Sequence, residues 1–256
     1  MPLDLRSIVR ASLLIPSPLE RYRSEPGRHV VHDDLVLTAG GGAGPEFNIV
    51  FVLGPVPPER VFTLADAFFD LTGYAIVVES ESARPIEEAI QAHGWRLDEE
   101  EPALALTPIP MPPPPPTGLT IRLVTTDAAF TDFMTITQTA RRWIPSLDAA
   151  RDRAVALFVG YDREAPVATS RIARYGDVGD INGVVTAPTH RRRGIGTAMT
   201  WAAVAEGARR SCTAMTLTAT EMGYPVYQRM GFVPVCTYRT YLPPGQGEVD
   251  PSRSEA

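Results

Sequence analysis

The sequence predicts an α/β protein, an α+β arrangement of two successive domains, and three observations carry that reading. Short β-branched runs alternate with segments whose apolar residues recur at helical spacing, in both halves of the chain. Between the halves, Thr107 to Gly118 reads T-P-I-P-M-P-P-P-P-P-T-G, and its five consecutive prolines, Pro112 to Pro116, can enter neither a helix nor a central strand. The length of 256 residues, 44% of them hydrophobic, is enough for one large core or two ordinary ones. The expected borders are therefore 1–107 for a first domain, 108–117 for a semi-rigid proline-rich linker, 118–243 for a second domain and 244–256 for a flexible tail.

In the first half, Asn48 to Leu53 (N-I-V-F-V-L) reads as a short buried strand. Pro57-Pro58-Glu59 opens a helix with Val61, Leu64, Ala65 and Phe68 inward, closed by Gly73. A strand follows at Ala75 to Val78. The next helix, Pro85 to His93, turns Ile86, Ala89 and Ile90 inward and stops at Gly94, before a last strand at Ala103 to Leu106. The second half begins with a strand at Leu119 to Val124 and a helix from about Thr126 to Ala140. Strands follow at Ala156–Tyr161, Val167–Tyr175 and Asp180–Thr186, joined by turns at Asp162-Arg163-Glu164 and Gly176-Asp177. A helix from about Gly194 to Arg210, a strand at Ala214–Thr220, a short helix at Tyr224–Met230 and a strand at Val233–Tyr241 complete the chain. The two halves share a tail pattern: A-I-V-V-E-S, helix, H-G-W, strand beside A-M-T-L-T-A, helix, M-G-F, strand.

Composition excludes several chemistries. All 24 basic residues are arginine, so there is no lysine for a P-loop, a kinase strand or a Schiff base. A net charge of -6 argues against binding nucleic acid by neutralising phosphates. Cys212 and Cys236 form no disulfide framework and no metal spacing, and His29-x-x-His32-Asp33 lacks a further ligand, so no metal is expected. No apolar run approaches the roughly 18 residues of a membrane span, and Leu13-Leu14-Ile15 is too short for a signal peptide. The expected setting is cytoplasmic, without a membrane, and a homodimer stays open.

The strongest local signal runs from Val184 to Ala198, V-V-T-A-P-T-H-R-R-R-G-I-G-T-A. A β-branched strand leads into a loop, and two glycines open an apolar helix. Glycines let the chain turn tightly and let backbone N–H groups approach a ligand, and a helix N-terminus favours an anion such as a pyrophosphate. The three arginines beside it can add charge-assisted bonds to phosphate oxygens. Met199 stands where a dinucleotide fingerprint needs its third glycine, which weakens a nucleotide-dependent oxidoreductase reading. What remains, Arg191-x-x-Gly194-x-Gly196, resembles the acyl-CoA loop of the GNAT superfamily of N-acyltransferases. Tyr227-Gln228-Arg229-Met230-Gly231-Phe232 resembles the Y-x-x-x-G-F that ends the last helix of that family. The resemblance covers about residues 118–242.

The resemblance implies a GNAT fold: a mixed, mostly antiparallel central sheet with flanking helices, splayed between its fourth and fifth strands. It implies acetyl-CoA as co-substrate, with no metal, and a small-molecule or peptide amine as acceptor. Backbone groups of Val184, Val185 and Thr186 are expected to face pantetheine, and Gly194, Ile195, Gly196 and Thr197, with Arg191, Arg192 and Arg193, the pyrophosphate. Tyr227 is the expected proton donor to the leaving sulfur. Thr220 stands where many relatives have asparagine and can still donate one hydrogen bond. The general base is open between Asp180, Glu221 and a base acting through water; His190 is not read as catalytic. The first half has neither motif, and its run Gly40-Gly41-Gly42-Ala43-Gly44 precedes a strand instead of opening a helix. It resembles the degenerate GNAT-like half of tandem family members, with an unrelated domain as the other reading. The alternative function is a non-catalytic acyl-CoA-binding regulatory module.

Overall fold

The computed structural model describes residues 4–19, 22, 27–40, 44–45, 47–70, 73–81, 84–137 and 146–245. The expected tail from 246 onward and the last residues of the helix expected to reach Ala140 lie outside them. In chain order the elements are α1 (Leu5–Leu14), β1 (Arg28–His32), β2 (Leu35–Ala39), β3 (Asn48–Val52), α2 (Pro58–Phe69), β4 (Ala75–Glu79), α3 (Arg84–Ala92) and β5 (Arg96–Leu106). There follow β6 (Leu119–Leu123), α4 (Asp127–Thr137), α5 (Leu147–Ala150), β7 (Val155–Asp162), β8 (Ala165–Tyr175) and β9 (Val178–Thr186). The last are α6 (Ile195–Arg209), β10 (Ala214–Thr218), α7 (Tyr224–Arg229) and β11 (Val233–Leu242).

By compactness the chain divides differently from its linear halves. Unit I comprises Met1–Ser24 with Pro102–Val235, and unit II comprises Glu25–Glu101 with Cys236–Ala256. The proline segment therefore belongs to unit I, where Ile109 packs against the main core.

Unit I is a mixed sheet in the order β5, β10, β9, β8, β7, β6, in which only β10 and β9 run parallel. Strand alternation sends neighbouring side chains to opposite faces. Phe158 joins Ile172, Ile181 and Met215 under α6, whereas Leu157 and Val159 join Phe133 and Met134 of α4. On the first face α6 lies close because it offers small residues: a Cβ on Gly207 would come within 2.3 Å of Met215 Cε and 2.7 Å of Ile172 Cδ1. α1, absent from the sequence reading, packs against β9 and β10. Asp4 caps it by accepting a hydrogen bond from the Ser7 N–H at 3.0 Å.

Unit II carries β1, β2, β3, β4 and the 236–242 part of β11 in that order, with α2 and α3 covering a core of Leu35, Val50, Val61, Ile76, Ile90 and Tyr241. The β1–β2 hairpin was not legible because its turn is Asp33-Asp34, with Asp33 forced to φ 50°, and lacks the glycine that usually marks such turns. α2 buries Val61, Ala65 and Phe69, so Phe69 takes the fully buried place expected for Phe68, and the helix ends at a left-handed Asp70 before Gly73. β5 starts at Arg96 and not at Ala103; the acidic D-E-E-E stretch, exposed except at Glu101, disguised its first half as loop. His29 and His32 are three residues apart on one strand, so they point to opposite faces and cannot share an ion.

Candidate functional site

The site is built around the parting of β9 and β10. Their parallel register holds for Ala214↔Val178, Met215↔Gly179 and Thr216↔Asp180 only; β9 then continues to Thr186 and β10 to Thr218 without pairing with each other. The cause lies in β9 itself. Thr169 pairs with Val185, but Arg171 pairs with Asn182, so Gly183 and Val184 together stand opposite Ser170 and β9 carries one extra residue there. Gly183 sits at φ +59°, a conformation that a side chain resists, and bulges of this kind bend the strand that holds them. The Asn182-Gly183 pair was the available sequence signal, passed over because the surrounding strand reads as continuous. Val184, Val185 and Thr186, half-buried, thus present backbone toward a gap.

Past Thr186 a 3-10 turn at Pro188–His190 leads into α6. Gly194, at φ +76°, is the N-cap, and no side chain caps the helix. The first intrahelical bond is Ala198 N–H to Gly194 C=O at 3.0 Å, which leaves the N–H groups from Ile195 to Thr197 without a helical acceptor. Such a helix start accepts an anion. A Cβ on Gly196 would lie 3.6 Å from Thr186 Oγ1, an ordinary contact distance, so the helix start stands beside the end of β9. The arginines differ. Arg191 donates from Nε to the Thr186 carbonyl at 3.3 Å, Arg192 takes the left-handed φ of 64° and is exposed, and Arg193 pairs with Asp162 Oδ2 at 3.0 Å. His190 Nε2 stands 3.6 Å from the same carboxylate, as a loop partner.

Tyr227 projects from α7 against the α6 core, which also receives Val184. Its ring meets Phe232 edge-on at 6.0 Å, so Gly231, at φ +95°, lets the aromatic fold back. Burial pushes the phenol pKa up, and a hydrogen bond with the Thr200 hydroxyl opposes part of that rise. Thr200 is fully buried and donates to the Gly196 carbonyl at 3.0 Å, which ties Tyr227 to the start of α6. Sequence reasoning missed Thr200, although its place four residues after Gly196 was the signal. Thr220 lies just beyond the end of β10, and its Oγ1 accepts the Gly223 N–H at 3.3 Å, leaving the hydroxyl proton free to donate.

Asp180 occupies the last paired position before the strands part. Ile181 faces α6, so Asp180 and Asn182 lie on the opposite face, the one packed by α1 and α4. Asn182 Nδ2 donates to Asp180 Oδ2 at 2.7 Å. Burial pushes this carboxyl up to about 6, against the opposing pull of Arg171 and Asn182. Burial likewise lowers the pKa of Arg171, with Asp180 the main charge opposing it. Glu221 is exposed.

Residues 123–232 match the model of the acetyltransferase (GNAT) family. The solved structures it resembles include a GCN5-related N-acetyltransferase from Kribbella flavida, at TM-score 0.71 and 21% identity, covering 94% of this chain and 96% of that one. A GCN5-related N-acetyltransferase from Sphaerobacter thermophilus aligns at TM-score 0.59 and 17% identity, over 83% of this chain and 81% of that one. A tandem GNAT protein from the clavulanic acid biosynthesis pathway aligns at TM-score 0.57 and 14% identity, over 81% and 77%. No curated protein matches the chain. Residues 123–232 are thus similar in sequence to the GNAT family, and the fold is the GNAT fold. Its family domain is thereby one of acyl transfer. Among the described residues no helix is long and apolar enough to cross a membrane.

Proposed function

We propose that the protein is an N-acetyltransferase that passes an acetyl group from acetyl-CoA to a primary amine by direct attack, without a covalent enzyme intermediate. The observation that carries this is the gap between β9 and β10 beside the uncapped, glycine-bearing start of α6. A ligand with an amide-bearing arm and a pyrophosphate fits both chemistries: backbone of Val184 to Thr186 for the arm, N–H groups of Gly194 to Thr197 for the anion. Arg191 and Arg192 add charge there; Arg193 is already engaged by Asp162. When bound, acetyl-CoA supplies the activated thioester.

The rest belongs to this chain's own groups. Tyr227, whose pKa is raised, keeps its proton at neutral pH and is the donor to the leaving sulfur. Asp180, at about 6, is ionised at neutral pH and basic enough to take the proton lost by the amine, directly or through one water. Unit II repeats the order strand, helix, strand, helix, strand, but β3 and β4 stay paired from Ile49↔Ala75 to Val52↔Val78. With no gap and no R-x-x-G-x-G, we read it as a GNAT-like unit that has lost the acyl-CoA site. Incubation with acetyl-CoA and an amine library, followed by free thiol release, is the test. Thiol release that depends on an amine is the expected result; tight acetyl-CoA binding without turnover on any amine would leave only the regulatory-module reading.

A further inference from the structure

Unit II holds a cavity of about 750 Å³ between α2 and α3, in the size range of small-molecule sites. Four rings line it in sequence. His93 and Phe62 lie 4.7 Å apart, Phe62 and Trp95 6.2 Å, and Trp95 and Tyr74 5.2 Å, tilted by 35°, 55° and 47°. None of these pairs is stacked flat, so the rings make facets of a cup, in which the buried Tyr74 also stacks on Phe69 at 5.1 Å. The H-G-W run builds it: Gly94, at φ +78°, ends α3 and turns Trp95 back so that its N–H bonds the Ile90 carbonyl at 3.2 Å.

Two carboxylates complete the lining, and neither is neutralised. Glu59 has no hydrogen-bond or ion-pair partner among the described residues, while Asp66 accepts the Tyr74 hydroxyl on Oδ1 at 3.0 Å and keeps Oδ2 free. No arginine lines the cavity among the described residues, and Arg60 of the same helix is turned to Asp33 at 2.9 Å. An anion has nothing to meet here. A cation meets ring faces, which attract it through their quadrupoles, and two negative charges.

We infer that unit II binds a small organic cation, an alkylated or quaternary ammonium, in this cup of Phe62, Tyr74, His93 and Trp95, with Asp66 and Glu59 as its counter-charges. The site is separate from the acyl-transfer site of unit I and does not depend on the activity proposed for it.

Choline and its uncharged carbon isostere, 3,3-dimethylbutan-1-ol, separate charge recognition from plain apolar filling. Titrations of the full chain, followed at the Trp95 indole N–H resonance identified with Trp95→Phe, are expected to show saturable choline binding, with the isostere about tenfold weaker. Asp66→Asn and Glu59→Gln are each expected to weaken choline several-fold while the thermal midpoint stays unchanged. Glu59→Gln keeps the test valid should Asp66→Asn disturb Tyr74, because Glu59 is exposed and unpartnered. Equal binding of choline and the isostere overturns the inference. So does the failure of both choline and tetramethylammonium to shift Trp95 at millimolar concentration.

Discussion

Tyr227 and Asp180 are two residues whose surroundings push both pKa values upward, with opposite consequences for chemistry. For a phenol the rise keeps the proton on; for a carboxyl it makes a stronger base. Tyr227→Phe should lower kcat by about a hundredfold or more and leave acetyl-CoA affinity nearly unchanged, as turnover and calorimetry would read. For Asp180 the sign is set by protonation: below pH about 6 the carboxyl is neutral and cannot accept a proton. Wild-type kcat/KM should therefore rise with pH through about 6 and then level off, and Asp180→Asn should abolish that rise. The same group makes the native state hold its proton more tightly than the unfolded chain does. Its contribution to stability accordingly falls as pH climbs from the ordinary 3.8 toward about 6, a decline that Asp180→Asn removes from denaturation curves.

The α6 loop also divides by residue. Gly196→Val places a branched side chain among the free N–H groups of the helix start and beside Thr186 Oγ1, 3.6 Å from its Cβ, so it should weaken acetyl-CoA binding more than any arginine substitution. Each arginine is worth one charge-assisted bond, about 1.5–3 kcal/mol at most. Arg193→Ala should cost least, since Asp162 already occupies that guanidinium. Calorimetric titration of Gly196→Val, Arg191→Ala, Arg192→Ala and Arg193→Ala checks the order, and near-wild-type binding by Gly196→Val would remove the loop from the reading.

At the scale of elements, α6 and β9 do the positioning. α6 reaches the sheet because Gly207 has no side chain against Met215 and Ile172. Gly207→Val must displace both, and overpacking of this kind costs about 1–3 kcal/mol, measurable by urea denaturation. The helix patterns of α2, α3 and α6 were legible, because Pro and Gly punctuation and apolar spacing are local properties. α1 and the β1–β2 hairpin were not. α1 is short, and its helical state is secured by packing against β9 and β10, which no local pattern reports.

At the scale of the molecule, each compact unit is discontinuous in sequence. The 103–106 stretch of β5 pairs with β10 from Leu106↔Met215 to Ala103↔Thr218, beside the strand that opens the gap. A fragment beginning at residue 118 lacks both this strand and α1, leaving β10 with an unpaired edge. It should be recovered aggregated or partly unfolded, with weakened near-ultraviolet circular dichroism, although it contains the whole of the family match.

By itself the sequence determined the α/β class, the glycine-arginine loop, the Tyr227 helix and the absence of an R-x-x-G-x-G motif from the first half. Each is a contiguous run whose chemistry follows from residue type and spacing. Only the tertiary structure decided where β9 leaves β10, that Thr200 joins Tyr227 to the helix start, that Asp180 sits half-buried at the fork, and that Trp95 closes a ring-lined cavity on α2. Those features come from contacts between residues far apart along the chain. A bulge, a shifted pKa or a cup of rings exists only once burial has brought such groups together, because desolvation and close packing act through space.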